Sequence, residues 1–446
     1  MSLPLTVMEE FFLWDDRPAY PCDFFVRLRF AGCLDRTGFE KAVRVAMARH
    51  PLLTAKVKTV GRRLWWAGVD DWVPVLHWET SPCGGPLPPA THLDLREEIG
   101  VRFHVRVDAV AATCDLTIQL HHACCDAGGS ATFIRDLLLA YAAICAGTED
   151  GQIELPPLDP ALLAGRGRFG LGFGKLLRMA PRQLVGLLGA RQFLMRRPVP
   201  LFPHQVFAND SPLPAGFPAT LSHTFDPETT VGVRRAADAL DVTPNDLLAR
   251  DLFLTLADWR LQRNVREDDD WLRMMVPINL RTPADRLLPA ADVVSTVFLD
   301  RRTSDSADPD RLLRGIHAEM DRIKRNQLGF TFIGSLAVCR LFGGLERQVR
   351  ADKCTVSCVF TNVGTLFAQT PLPEHQRQLR AGNVTLSGID CVAPIHPYSC
   401  VSVAAGLYGG SLNITLHYDP RPLDQQQAAD LLTAYVRRIT ASTAVS

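Results

Sequence analysis

Residues 115–128 read DLTIQLHHACCDAG, and this stretch decides the predicted fold. Polar and apolar residues alternate from 115 to 120, which is the two-residue period of a half-buried strand. Continued past the strand, this period places His122 on the apolar face with Leu120, and His121 on the opposite face. Two histidines, a carboxylate and glycines at the end of a strand supply a base, a group to fix it and room for a substrate.

His122 is the candidate general base. An imidazole at the inner end of a strand is partly desolvated, which favours its neutral form and leaves a nitrogen lone pair available. The alternative is a core histidine whose two nitrogens are both satisfied, which is the usual state of a single histidine on an apolar face. The adjacent His121 and the nearby Asp126 favour catalysis.

The pattern His121-His122-x-x-x-Asp126-Ala127 resembles the His-His-x-x-x-Asp-Gly signature of the CoA-dependent acyltransferase superfamily. This superfamily includes chloramphenicol acetyltransferase, the condensation domains of nonribosomal peptide synthetases, alcohol acetyltransferases and wax ester synthases. Alanine replaces the last glycine of the signature, and Gly128 and Gly129 follow directly. We therefore expect the flexible point of the turn to lie one position later.

Three further segments resemble the same superfamily in its order and spacing. Residues 48–53, ARHPLL, are similar to its opening helix and turn, although Thr54 stands where arginine is usual. Residues 243–248, TPNDLL, are similar to a helix start, and residues 276–281, VPINLR, to a strand. Each segment is a weak signal alone, but together they extend the resemblance over most of the chain.

The resemblance implies an α/β fold of two chloramphenicol-acetyltransferase-like lobes that form a pseudodimer with a tunnel at the seam. We expect an N-terminal lobe at 1–155, a linker segment at 156–212 and a C-terminal lobe at 213–446. Hydrophobic periodicity and capping residues predict the elements within this frame. In the first half they predict strands at 23–30, 101–108 and 115–120 and helices at 35–50 and 130–145. In the second half they predict helices at 227–240, 244–261, 310–327 and 423–439. The strands predicted there are 219–225, 272–279 and 293–299, with several more between 354 and 418.

The resemblance also implies roles around the base. Asp126 would brace the site structurally through a bidentate ion pair with Arg281, which would hold the two halves in register. His121 would hold the loop by hydrogen bonding. The oxyanion stabiliser stays open between backbone amides around Gly128 and polar groups at Thr361 or Asn362.

Bulk composition excludes several protein classes. The chain has 48 basic and 48 acidic residues, which argues against a nucleic-acid-binding protein. Its 446 residues, 47% hydrophobic, are enough for a large core. The first ten residues lack the basic and apolar regions of a signal peptide, and no apolar run is long enough to cross a membrane. We therefore expect a cytoplasmic protein.

The 12 cysteines are scattered, and without a secretion signal they are expected to be reduced and buried. Cys354 and Cys358 suggest a metal site, but no second pair lies at zinc-site spacing, so we expect none. Cys124 and Cys125 beside the histidines are either thiol nucleophiles or small packing residues. The resemblance favours packing, because the superfamily uses no enzyme nucleophile there.

The segment 161–209 contains no acidic residue and has eight basic residues between apolar ones. Within it, residues 175–195 resemble a basic amphipathic helix that Pro181 interrupts. Such a segment could contact an anionic membrane surface, an acidic carrier protein or the phosphates of CoA. The other interpretation is a linker helix packed across the lobes with its arginines in water.

Together these features predict an acyltransferase that moves an acyl group from a CoA or carrier-protein thioester to a hydroxyl or amine, with acyl-CoA or acyl-carrier protein as co-substrate and no bound cofactor. Two alternatives stay open. One is a freestanding condensation enzyme that forms amides on carrier-bound substrates. The other is a catalytically silent relative that serves as a recruitment module of an assembly line.

Overall fold

The computed structural model describes residues 2–169, 186, 189, 191–202, 211–263, 269–350 and 353–443. The helices are α1 (Val7–Asp15), α2 (Arg36–Ala48), α3 (Ala127–Cys145), α4 (Pro227–Ala239), α5 (Pro244–Gln262), α6 (Pro309–Asn326), α7 (Gly329–Leu341), α8 (Leu345–Val349) and α9 (Gln425–Thr443). A 3-10 helix covers Pro160–Arg168.

Sixteen strands are described. They are β1 (Ser2–Pro4), β2 (Asp23–Ala31), β3 (Ala55–Val60), β4 (Arg63–Gly68), β5 (Val75–Thr80), β6 (Val101–Asp108), β7 (Thr113–His121), β8 (Ala219–Thr224), β9 (Trp271–Asn279), β10 (Val294–Arg302), β11 (Cys358–Thr365), β12 (Glu374–His375), β13 (Gln378–Ala381), β14 (Val384–Val392), β15 (Val401–Tyr408) and β16 (Ser411–Tyr418).

Two large sheets define the lobes. The first has the strand order β12-β13-β14-β2-β7-β6-β5 and the second the order β10-β9-β11-β15-β16-β8. A small third sheet, β1-β4-β3, lies beside the first. Each large sheet packs its own apolar core, with α2 and α3 on the first and α4, α5, α6 and α9 on the second. The predicted two-lobed α/β architecture is confirmed.

The predicted boundaries at 155 and 213 do not describe the sheets completely. Strand β14, from the second half of the chain, pairs antiparallel with β2 of the first sheet and carries β13 and β12 with it. Ion pairs from Arg27 and from the partly exposed Arg29 to the buried Asp390 add to this junction. The first lobe is therefore completed by residues 374–392, because β2 would otherwise present an unpaired edge.

Helix starts follow the local capping signals. Thr243 caps α5 and Asp226 caps α4, each with proline in the first turn, as predicted. Two helices lie outside the elements predicted from the sequence. Helix α1 begins at a capping box formed by Thr6 and Glu9. The residues of α7 are apolar without a clear helical period. Helix α1 proves central to the site.

Among the described residues, no helix is long and apolar enough to cross a membrane.

Candidate active site

The end of β7 places His122 in a cavity between the two large sheets. The backbone amide of His122 donates to the carbonyl oxygen of Cys22 at 2.9 Å, so pairing with β2 continues one residue beyond the strand. The alternation of side chains between the two faces of β7 therefore continues to His122. Its ring centroid lies 5.3 Å from that of Phe24. His122 therefore lies on the apolar face, as predicted, with its side chain 17% exposed.

Asp292 fixes the orientation of the His122 ring. Its Oδ2 lies 3.1 Å from Nδ1 of His122, and its own side chain is fully buried. The carboxylate favours the tautomer with the proton on Nδ1, which leaves the lone pair on Nε2 for the cavity. Burial raises the pKa of Asp292 to about 6, against the lowering effect of the contact with His122. The carboxyl is thus mostly ionised at neutral pH.

Asp292 is not among the site residues that the sequence patterns predict. The signal was present in Ala290-Ala291-Asp292-Val293, a single carboxylate in an apolar run immediately before β10. A charged residue there needs a buried partner. The identity of that partner, 170 positions away, depends on the fold.

Phe12 of α1 covers the other side of the base. Its ring stacks on the His122 ring, with centroids 4.1 Å apart and planes 22° apart. The imidazole is thus held between the hydrogen bond to Asp292 and an apolar face, which limits its rotation and keeps water away from that side.

Asp126 and Arg281, predicted as a pair, are in contact. Nη1 of Arg281 lies 2.6 Å from Oδ2 of Asp126, and the amide of Val293 donates to the same oxygen at 2.9 Å. The contact is not bidentate as predicted, because the other Asp126 oxygen accepts the amide of Gly129 and Nη2 of Arg281 donates to the Ala291 carbonyl. Burial would raise the pKa of Asp126, but Arg281 and the two amides hold it below its usual value.

The glycines after Asp126 serve close packing rather than turn flexibility, which corrects the prediction. Asp126 is the N-cap of α3, so Gly128 and Gly129 lie in the first helical turn without positive φ angles. A Cβ on Gly129 would lie 2.7 Å from the Ala291 carbonyl oxygen, and one on Gly128 would lie 2.8 Å from Nη1 of Arg281.

His121 is fully buried and contributes to the loop, as expected. Its Nδ1 accepts a hydrogen bond from the amide of Ala123 at 3.1 Å. A neutral imidazole that accepts at Nδ1 carries its proton on Nε2, which lies 3.6 Å from Oδ2 of Asp16. This oxygen also contacts His92 at 2.6 Å.

Asp16, Asp23 and His121 place one potential metal ligand each within 4.8 Å of one another. All three side chains are buried, and the trio is part of a polar network that also includes His92. Burial would raise the pKa of Asp16, but His121 and His92 hold it well below its usual range, whereas burial raises the pKa of Asp23 to about 7. The network braces the chain entering β2.

The cavity is lined mainly by apolar side chains from both sheets, α1 and α3. Its ionisable lining groups among the described residues are His122, His396 and the thiol of Cys391, and its hydroxyl groups are those of Ser130, Thr296 and Thr361. Of the predicted oxyanion groups, Thr361 on β11 lines the cavity. Asn362 is exposed, and its side-chain oxygen accepts the amide of Gly364. Gly128 is exposed and does not line the cavity, and the amide of the adjacent Gly129 is already bonded to Asp126.

The cysteines beside the motif are buried, and burial raises the pKa of both the Cys124 and Cys125 thiols well above the usual value. These thiols stay protonated at neutral pH and are packing residues, as favoured above. All 12 cysteines are free, including Cys354 and Cys358.

The basic segment is only partly described; Lys175, Arg178 and Arg182 lie outside the described residues. Arg166 is buried against Glu9 at 2.6 Å, and Arg196 approaches Asp300 at 3.6 Å. Although 161–209 contains no acidic residue, these two arginines are therefore neutralised by carboxylates from other parts of the chain.

No protein-family model matches the chain, and no curated protein sequence matches it. Solved structures do match over its whole length. The first condensation domain of the calcium-dependent antibiotic synthetase superposes with a TM-score of 0.70 at 16% identity, covering 100% of this chain and 97% of that one. The trichothecene 15-O-acetyltransferase TRI3 from Fusarium sporotrichioides gives 0.68 at 11% identity, covering 99% and 95%. The starter condensation domain of rhizomide synthetase, in complex with C8-CoA, gives 0.67 at 14%, covering 100% and 95%.

The chain therefore has the fold of condensation domains and of a 15-O-acetyltransferase, which agrees with the fold that the motif resemblance implies. At these identities the likeness establishes the fold of this chain; its chemistry is argued from its own residues.

Proposed function

We propose that this protein is an acyltransferase that moves an acyl group from a CoA or carrier-protein thioester to a hydroxyl or amine acceptor. The observation that carries the proposal is His122, held by Asp292 through Nδ1 and lining a cavity between the lobes. A histidine whose tautomer is fixed by a second group is an arrangement that suits general-base catalysis.

In the proposed reaction, Nε2 of His122 accepts the proton of the acceptor as its oxygen or nitrogen attacks the thioester carbonyl carbon. The C–S bond of the tetrahedral intermediate then breaks, and His122 returns the proton to the departing thiolate. The acyl group moves directly, without an acyl-enzyme, which agrees with the protonated state of Cys124 and Cys125. Arg281 and Asp126 keep the motif in register but move no proton.

A hydroxyl acceptor is favoured over an amine. Among the described residues, the cavity lining contains no carboxylate that would hold an ammonium group. Two similar structures support the broader proposal: one is an O-acetyltransferase, and one binds C8-CoA. Amide formation on carrier-bound substrates is the second candidate, since condensation domains share the fold. The ordered His122–Asp292 pair argues against a silent recruitment module.

The test is to incubate the purified full chain with acyl-CoA donors from acetyl to dodecanoyl and with matched alcohols and amines. Products are identified by mass spectrometry, because the exposed Cys145 would interfere with thiol reagents. Ester formation that His122→Ala abolishes would support the proposal. Products from amines alone would favour the condensation enzyme, and the absence of any product with CoA or carrier-bound donors would overturn acyl transfer.

We also propose that the basic segment contacts an anionic partner through basic residues other than Arg166 and Arg196, which contact carboxylates of this chain. If Arg178, Arg182 and Arg191 meet a lipid surface, each adds about 1 kcal/mol of attraction that salt weakens. Changing all three to Glu should abolish binding to anionic vesicles and leave the rate on a soluble acceptor unchanged. Unchanged vesicle binding in the variant, or no binding by the parent, would refute membrane contact through these arginines, and an unchanged KM for the donor would refute carrier or CoA contact.

A further inference from the structure

The cavity beside His122 has its two histidines at one end and an apolar cluster at the other. His122 follows β7, and Asp292, which contacts its ring, lies two residues before β10. Nδ1 of His396 lies 2.6 Å from Oδ2 of Asp15 on α1. Phe12, one turn earlier on the same helix, stacks on the His122 ring. Residues three apart on a helix are neighbours, so both histidines lie at the same end of the cavity.

From this end, the second sheet extends one wall of the cavity away from the base. Val294 and Thr296 on β10 line the cavity. Phe298, the next residue on the same face of β10, is paired with Met275 of β9, which also lines the cavity. The distance from Val294 to Phe298 along the strand is roughly 13 Å, at about 3.3 Å per residue. The wall is therefore long enough for a chain of substrate atoms.

An apolar cluster closes the far end of this wall. Met275 and Val359 line the cavity and are paired on the neighbouring strands β9 and β11. They pack with the buried Val356 and with Phe298. The Phe298 ring contacts the Phe332 ring of α7, with centroids 5.7 Å apart. The end of the cavity farthest from the base therefore contains no group that could pair with a charge.

The wall that the first lobe contributes is apolar as well. It includes Ala127, Ala131 and Ile134 of α3, Phe24 and Val26 of β2, and Ile389 of β14. Among the described residues, the lining of the whole cavity contains no Asp, Glu, Lys or Arg. Burial raises the pKa of the Cys391 thiol to about 12, so this group is uncharged at neutral pH. Away from the two histidines, an ionised substrate group would lose its hydration without gaining a partner of opposite charge.

We propose that this cavity binds an uncharged alkyl chain of a substrate, either the acyl chain of the thioester or the chain of an aliphatic alcohol, and that Met275 limits the length of that chain. The inference rests on the proposed acyl transfer and names its substrate class. The reacting group lies beside His122, and the chain extends from there along β10. Each methylene group that moves from water to an apolar wall raises affinity roughly fourfold.

The test measures kcat/KM in two series of substrates. Saturated acyl-CoA donors from acetyl to dodecanoyl are used with one alcohol, and straight-chain alcohols from ethanol to dodecanol are used with one donor. Hexanoyl-CoA is also compared with ω-aminohexanoyl-CoA, which has the same chain length and ends in an ammonium group.

Met275→Ala and Met274→Ala are compared in both series. Met274 is the matched control, because it has the same side chain on the same strand but packs in the core of the second sheet and does not line the cavity. Met275→Val is a smaller change that replaces Met275→Ala if the alanine variant does not fold. The preferred chain length is a ratio of rates, so it does not depend on the folded fraction of a destabilised variant.

We expect kcat/KM of the parent to rise roughly fourfold per methylene group in one of the two series, and to fall once the chain is longer than the cavity. Met275→Ala should move this maximum to chains longer by about two to three methylene groups, because the substitution leaves space at the far end. Met274→Ala should leave the maximum in place. If the acyl series has the maximum, ω-aminohexanoyl-CoA should react at least roughly 10²-fold more slowly than hexanoyl-CoA.

A shift in the acyl series would support the inference and assign the cavity to the acyl chain, and a shift in the alcohol series would support it and assign the cavity to the acceptor. Rates independent of chain length in both series, or a maximum that Met275→Ala does not move, would overturn it. Equal rates for the two hexanoyl donors would overturn the assignment to the acyl chain.

Titration calorimetry with octanoyl-CoA, acetyl-CoA and octanol measures binding without turnover and separates this inference from the proposed function. A parent that transfers no acyl group refutes the proposed function. In such a parent, tighter binding of octanoyl-CoA than of acetyl-CoA, or binding of octanol, would still support the alkyl-chain site. Equal binding of the two thioesters together with no binding of octanol would overturn it.

Discussion

At the scale of single residues, the buried carboxylate of Asp292 determines how His122 can act. We expect Asp292→Asn to lower kcat/KM by roughly 10²-fold or more, because an amide no longer selects the Nδ1–H tautomer. In the parent, kcat/KM should fall as the pH drops through about 6, where Asp292 takes up a proton. A pH-rate profile of both proteins checks this.

The same substitution should stabilise the fold at neutral pH. The pKa of Asp292 is raised on folding, so the folded state binds more protons than the unfolded state between the usual carboxyl pKa and about 6. Stability from this group is therefore lost as the pH rises through that window. A lower melting temperature for Asp292→Asn at pH 7 would contradict the inference that burying the ionised Asp292 destabilises the fold.

The two motif histidines should respond differently to alanine. His122→Ala is expected to lower kcat by at least roughly 10²-fold with little change in melting temperature, because its ring lines the cavity. His121→Ala should mainly destabilise, because it leaves a buried polar network around Asp16 without one member. Melting curves measured beside kcat separate the two effects; a normal rate in His122→Ala would refute its role as base.

At the scale of elements, the start of α3 packs too closely against Ala291 to accept a side chain at position 129. Gly129→Ala should lower the free energy of unfolding by about 1–3 kcal/mol. Gly334→Ala in α7 is the matched control, since its Cβ would meet no atom within 4 Å, and it should be neutral or raise stability by up to about 1 kcal/mol. Denaturant unfolding of both variants is the measurement, and equal effects would refute the packing argument.

At the scale of the whole molecule, Asp126 and Arg281 couple the two halves of the chain. Removing either partner leaves a buried charge, at a cost of about 3–5 kcal/mol, whereas the double change should cost much less than the sum. The free energies of unfolding of Asp126→Asn, Arg281→Ala and the double variant complete a double-mutant cycle. Additive losses of this free energy would rule out the coupling. Since the pKa of Asp126 is lowered in the fold, this stabilisation is present near neutrality and is lost on acidification.

The sequence alone determined the features that depend on neighbouring residues. The strand period located His122 on the cavity face, and capping residues located the starts of α4 and α5. The ordered motifs indicated two lobes and the Asp126–Arg281 contact. These predictions succeed because periodicity, capping and motif spacing are local properties, and because a family resemblance carries the long-range contacts of its fold with it.

Only the tertiary structure decided which distant groups meet in the site. Asp292 and His122 are separated by 170 positions, and Asp15 and His396 are further apart still, so no local pattern pairs them. The exchange of β14 into the first sheet likewise has no local signal, because a strand's sequence records that one face is buried and not which strand lies beside it. The physical reason is that buried charges need partners, but the chain path alone selects which partners reach them.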